Sequence, residues 1–265
     1  MIRMPDSREV YPNAPVALVA VEARHTAAAT FTPEQEAELK ALIGGEFPIA
    51  QPVPTFTLNF GAVSPAALAQ PPRFTNRERT VAVTFGPQAL VIEATHHDHF
   101  GPLSSLVSLV VSARQKVAPV DGLERLGIRY VDEIRVPATT DTIDWSQWVE
   151  PSLLGPVEVG TRLGFQPGEH QGLANFQLGA DRGLTVRYGP RVGYAVQSGP
   201  LVRNMPPPSP FFLLDIDSFW TATDEIPEFD PSRIVALCNE LHAPVNALFE
   251  NLITERLREE VLRHA

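Results

Sequence analysis

The stretch "LGIRYVDEIRVP", residues 126–137, alternates cleanly in character. Successive side chains of an extended strand point to opposite faces. Ile128, Tyr130, Asp132 and Ile134 therefore share one face, and Arg129, Val131, Glu133 and Arg135 share the other. Such alternation is the mark of an antiparallel strand packed on one side only. The segment just upstream, "FGPLSSLVSLVVSARQKVAP" (100–119), places Leu103, Leu106, Val107, Val110, Val111 and Ala113 on one broad apolar stripe and predicts a buried helix.

Further upstream, "VALVAVEARHT" (16–26) reads as a strand after a loose arm. Thr32, Pro33 and Gln35 then open a helix that Gly44-Gly45 stops. Strands follow over 55–62, 79–87 and 89–97, the last two joined as a hairpin through Gly86-Pro87. Downstream, "DWSQWVEP" predicts a short helix, and "VGTRLGFQPG", "GLANFQLGAD", "LTVRYGP" and "FFLLDIDSFW" predict strands. A Pro-rich connection covers 199–210. The chain closes on an amphipathic helix capped by Asp230 and opened by Pro231, with a kink expected at Pro244. These elements predict an α+β fold of two similar lobes, 1–140 and 141–265, each an antiparallel sheet covered by a long helix, within one integrated unit.

The 265 residues are 44% hydrophobic and 20% charged, within the range of a folded globular chain. A net charge of −10 argues against sequence-independent nucleic-acid binding, which needs cationic surface. Lys40 and Lys116 are the only lysines, so arginine here carries nearly all positive charge. The single cysteine, Cys238, excludes an intrachain disulfide and a Cys-rich zinc site. The N-terminal arginines precede no apolar core of a signal peptide, and no apolar run reaches membrane-spanning length, so the expectation is a cytoplasmic protein without a membrane partner.

The phrases "YPNAPVALVAVEAR", "LERLGIRYVDEIRVP", "FFLLDIDSFW" and "LHAPVNALFENLIT", in that order, resemble a sporadically distributed, uncharacterised bacterial family of about this length. The resemblance spans nearly the whole chain and brings no activity with it. It implies a mobile-element, defence or toxin–antitoxin setting in which the protein acts with a neighbouring gene product. Members of that family often carry Tyr and Trp after the third strand, where this chain has "HHDHFGPL".

That histidine-rich stretch is the most conspicuous candidate for chemistry. On a strand, His97 and His99 point one way, and His96 and Asp98 the other. His97 and His99 are thus the metal-ligand candidates, with a third ligand needed from His25, His170 or His242. The simpler reading makes Asp98 a helix cap and leaves the histidines on the surface. "LDID" places Asp215 and Asp217 on one face, suited to pair with Arg129 or Arg135 across the two lobes, as an ion network or as the lining of an anion site. The same aspartates with Glu133 form the alternative of a hard-cation site. Cys238 and His242 stand one helical turn apart, and a buried inert thiol is the plainer reading. Leu257, Val261 and Leu262 extend the last helix and form the expected dimer or partner surface.

No nucleotide-binding loop, GxSxG or HExxH occurs, so the sequence gives no cofactor and leans away from an enzyme. The expected function is a non-catalytic binding protein that acts with a protein partner or as a homo-oligomer. The alternative is a small-ligand binder or enzyme with an inter-lobe pocket lined by Arg129, Arg135, Asp215 and Asp217.

Overall fold

The computed structural model describes residues 9–51, 70–137, 143–166, 170–197 and 199–264. The strand expected over 55–62 lies outside them. The strands are β1 (Val16–His25), β2 (Ile49–Gln51), β3 (Arg73–Thr75), β4 (Val81–Phe85), β5 (Ala89–Ala94), β6 (Leu123–Ile134), β7 (Gly172–Gln177), β8 (Arg182–Gly193) and β9 (Ser209–Thr221). The helices are α1 (Pro33–Ile43), α2 (Phe100–Val117), α3 (Val157–Arg162), α4 (Pro231–Leu252) and the single turn α5 (Glu255–Leu257). The fold is α+β, built on one large antiparallel sheet in the order β2-β3-β4-β5-β1-β6-β9-β8-β7.

The order of elements runs twice through one pattern: a strand, an excursion, three antiparallel strands and a long helix. The first run is β1, then β3-β4-β5, then α2; the second is β6, then β7-β8-β9, then α4. In the sheet the runs meet where β1 pairs with β6, with β5 and β9 flanking that central pair. One hydrogen-bonded sheet therefore crosses from the first run to the second, in place of one sheet for each. β6 opens the second run, upstream of the division at residue 140.

Local chemistry explains the helix starts. Thr32 and Gln35 form the reciprocal capping box of α1. Asp230 accepts from the Ser232 N–H at the start of α4, and Pro231 needs no donor there. α4 lies against β6 and β9, α2 beside α4, and α1 beside α2, so the three long helices cover one face. The core forms between them, with Val19 and Val21 of β1, Leu126 and Ile128 of β6, and Leu214 and Ile216 of β9 all buried. α4 runs through Pro244, whose ring leaves the Glu240 carbonyl without its helical donor.

Three expectations change. "VGTRLGF" is not a strand: the Leu163 N–H returns to the carbonyls of Val159 and Gly160, and Gly164 at φ +82° ends the turn, giving α3. "DWSQW" forms only a 3-10 turn over Trp145–Gln147, with Asp144 accepting from the Ser146 N–H. The last helix stops at Leu252. Ile253 then bridges to Val149, Thr254 caps α5, and the chain continues in a π-helical turn over Arg258–Leu262.

That break turns the tail back onto the body. Leu257 and Leu262 are buried at 0% and 1% exposure, and Val261 is buried beside them. The Leu262 carbonyl accepts from the Asn13 N–H. These three residues are core, not the partner surface their spacing suggested. Leu257→Ala is therefore expected to cost about 2–5 kcal/mol in urea unfolding; a solvent-facing leucine would change stability by less than about 0.5 kcal/mol.

Candidate functional site

β6 presents two kinds of chemistry on its two faces. On the face away from the long helices, Arg129 donates from Nε and Nη2 to the two Asp215 oxygens, both at 2.7 Å. This is the planar fork that suits a carboxylate. Arg187 stands 3.5 Å from the same buried carboxylate. Asp217 meets Arg125 at 3.2 Å, one pair further along, and not Arg135. Arg135 donates to Glu133, to Ser209 and to the Gly193 carbonyl. Glu133 also takes Arg203 and the Ala195 N–H, and these partners hold its carboxyl below the ordinary range against the opposing effect of burial.

The four residues expected around one pocket thus serve separate pairs. Arg129 and Asp215 border a hollow of ≈ 510 Å³, Arg135 borders a different one of ≈ 790 Å³, and Asp217 lines neither. Glu133 is held by arginines and is not brought to Asp215 and Asp217 as a third cation ligand. Burial dominates at Asp217, whose carboxyl is raised despite the arginines nearby.

The other face holds an arrangement that the alternation identified only as core. Tyr130 and Asp132 sit there between Ile128 and Ile134. Tyr130 Oη lies 3.2 Å from His242 Nδ1 on α4 and 3.5 Å from His97 Nε2, three residues past the end of β5. The His97 ring meets Tyr130 edge-on with centroids 5.4 Å apart. The His242 ring stacks on Phe100, the first residue of α2, at 4.1 Å and 4°. His97, Tyr130 and His242 therefore come together from three elements distant in sequence.

Two readings of "HHDH" are corrected by this placement. His97 turns inward to Tyr130 and is half-buried, while His96, Asp98 and His99 stay exposed. The α2 cap is His99, whose Nδ1 accepts from the Gly101 N–H, and not Asp98, which instead faces His96 at 3.3 Å. Capping occupies Nδ1 of His99. Among the described residues no group of three or more His, Cys, Asp or Glu side chains converges as a metal site. Cys238 is buried, and that burial pushes its thiol up to about 12.

A cavity of ≈ 560 Å³ opens beside these groups. Its wall comes from the arm before β1 (Tyr11, Ala14), the first residue of β1 (Val16), the start of α2 (Phe100, Gly101), the middle of α4 (Val245, Asn246, Phe249) and the end of β6. The size is that of a small-molecule site, and the mixture of apolar wall with a few polar groups is typical of one. Asp132 lines this cavity at 3% exposure, and its Oδ1 has no hydrogen-bond partner. Burial, reinforced by the nearby Asp215 charge, raises its carboxyl to about 8. Burial lowers His97 to about 4. Near neutrality the cavity thus presents a protonated acid and a neutral imidazole. The sequence signal for this site was the pair Tyr130 and Asp132 on an otherwise apolar strand face.

No family model matches the chain, and no curated protein matches it. Among the described residues no helix is long and apolar enough to cross a membrane.

The shifts at Asp132 and His97 act on stability in opposite directions. Asp132 keeps in the folded state a proton that the unfolded chain loses near 3.8, so its contribution falls as pH rises from about 4 to 8. His97 is harder to protonate when folded, so its contribution falls as pH drops from 6.5 to about 4. Above 6.5 only the Asp132 slope remains of the two. Urea unfolding should show Asp132→Asn gaining on the parent by up to about 2 kcal/mol between pH 6.5 and 8; a difference independent of pH would place the Asp132 titration elsewhere.

Proposed function

We propose that this protein is a non-catalytic binding protein for a small, largely apolar molecule, held in the cavity between α2, α4 and the central β1–β6 pair. One observation carries the reading: a buried carboxyl with an unpartnered oxygen lines a mostly apolar cavity. A buried polar atom without a partner costs about 1–3 kcal/mol. A ligand that hydrogen-bonds this carboxyl from the cavity offsets part of that cost on binding. The two runs of the chain act in this reading as two lobes, with the ligand where their first strands and long helices meet.

In this reading the small ligand lies on the opposite face of β6 from Arg129, Arg135, Asp215 and Asp217. On the arginine face Arg129 and Arg187 share Asp215 and Arg125 meets Asp217, contacts that tie β6, β8 and β9 together. A partner protein is the second reading, in keeping with the resemblance to a sporadic bacterial family and with a cytoplasmic setting. The observation that favours it is the edge strand β7, which leaves Leu173 and Phe176 exposed.

The uncharged fluorophore N-phenyl-1-naphthylamine tests the cavity. Its emission should rise and shift to the blue on addition of the protein, saturating at about one molecule per chain. Asn246→Trp places an indole in the cavity from a half-buried position on α4 and should weaken the probe about tenfold or more. No binding, or binding unchanged in this variant, would overturn the reading.

A further inference from the structure

The charges around the cavity narrow the class of ligand. Glu9, Asp98, Asp132 and Glu250 all line it, and among the described lining residues there is no lysine or arginine. Glu9 is paired with Arg263 at 2.7 Å and Glu250 with Arg258 at 3.1 Å, but neither arginine reaches the cavity wall. Asp132 differs from both. Arg125 and Arg129 of its own strand, and Arg135 just past the strand's end, project from the opposite face and are held by Asp217, Asp215 and Glu133. Asp132, the deepest of the four carboxyls, has no arginine partner among the described residues.

Resting on the cavity reading above, we infer that the ligand is an apolar primary amine bound as its ammonium ion, with the nitrogen at Asp132 and the hydrocarbon body along the Val16, Val245 and Phe249 wall. An ammonium group has three N–H donors and no acceptor. The cavity offers it acceptors in the Asp132 carboxyl, the Tyr130 hydroxyl and the neutral His97 ring. A buried ion pair is favourable only when further hydrogen bonds satisfy both partners, and this cluster supplies them. An anionic ligand meets the carboxylates of Glu9, Asp98 and Glu250 and, among the described lining residues, no lysine or arginine. A neutral ligand leaves the acid protonated and the surrounding charge unused.

The assignment has a consequence that a merely structural aspartate lacks. At pH 7 the empty cavity holds Asp132 mostly as the acid. An ammonium ion beside it favours the carboxylate. Binding then converts acid plus ammonium into a carboxylate–ammonium pair and releases the acid's proton to the buffer. No bond other than that O–H breaks.

Titration calorimetry of the full chain at pH 7 provides the test, run in phosphate and in Tris with 2-phenylethylamine, 2-phenylethanol and 3-phenylpropionate. The amine should bind about tenfold or more tighter than the alcohol, with the carboxylate weakest. The difference between the buffers should correspond to release of close to one proton per amine and none for the alcohol. Asp132→Asn, confirmed as folded by circular dichroism, should lose both the preference and the proton release. Should that variant not fold, the ligand series and buffer dependence of the parent chain decide. The inference is overturned if the alcohol equals the amine, if amine binding releases no proton, or if the folded variant keeps the preference. Binding of N-phenyl-1-naphthylamine without preference for the amine leaves the cavity reading standing and removes the ammonium assignment. Failure of all four probes removes both.

Discussion

The pairing of β6 along both of its sides is the constraint from which the rest of the structure follows. Its residues from Arg125 to Ile134 pair with β9, and those from Leu123 to Asp132 pair with β1. A strand held on both sides cannot slip by one residue without exchanging its faces. The exchange would bury Arg129 among leucines and expose Ile128. Register is therefore set by burial, and it sorts the side chains of "RYVDEIR" without exception. The arginines and Glu133 go to one face, where Asp215 and other partners meet them. Tyr130 and Asp132 go to the other, beneath the helices.

The same register creates the site. Tyr130 and Asp132 lie near the end of the central strand pair, where the start of α2 and the middle of α4 converge. A tightly packed apolar side chain there would give an ordinary core. The chain instead has a phenol, a carboxyl and two imidazoles beside an open cavity. Low dielectric surroundings disfavour the charged forms of both Asp132 and His97, raising one pKa and lowering the other. An acid that stays protonated and an imidazole that stays neutral form a polar cluster without net charge, which an apolar wall can tolerate. Such a cluster is poised to respond to a cation, because the incoming charge changes the ionisation of the acid.

Much of this was legible in the residues. The alternation of β6, the capping of α1 and α4, the Gly86 hairpin and the buried stripe of α2 are all local signals, and local physics decides them. The pairing of Arg129 with Asp215 was also readable, because buried carboxylates require partners. What the sequence could not show depends on contacts between distant elements. His97 reads as one of four polar residues at a strand end, and only β6 and α4 make it part of a buried cluster. Leu257 and Leu262 continue a helical spacing, yet the break at Ile253 folds them into the core. His99 displaces Asp98 as a cap by one position, a difference below what spacing resolves. Charge draws attention to the arginine face of β6, where the side chains serve separate ion pairs. The more informative anomaly was the acid on the apolar one.

The central claim is that Asp132 stands in the ligand-free cavity as a protonated acid. The most direct measurement is the carboxyl-carbon NMR titration of Asp132 in the folded protein, assigned by its loss in Asp132→Asn. A midpoint near 8, well above the usual aspartate value of 3.8, is what the account predicts. A carboxyl that titrates in the ordinary range would contradict it.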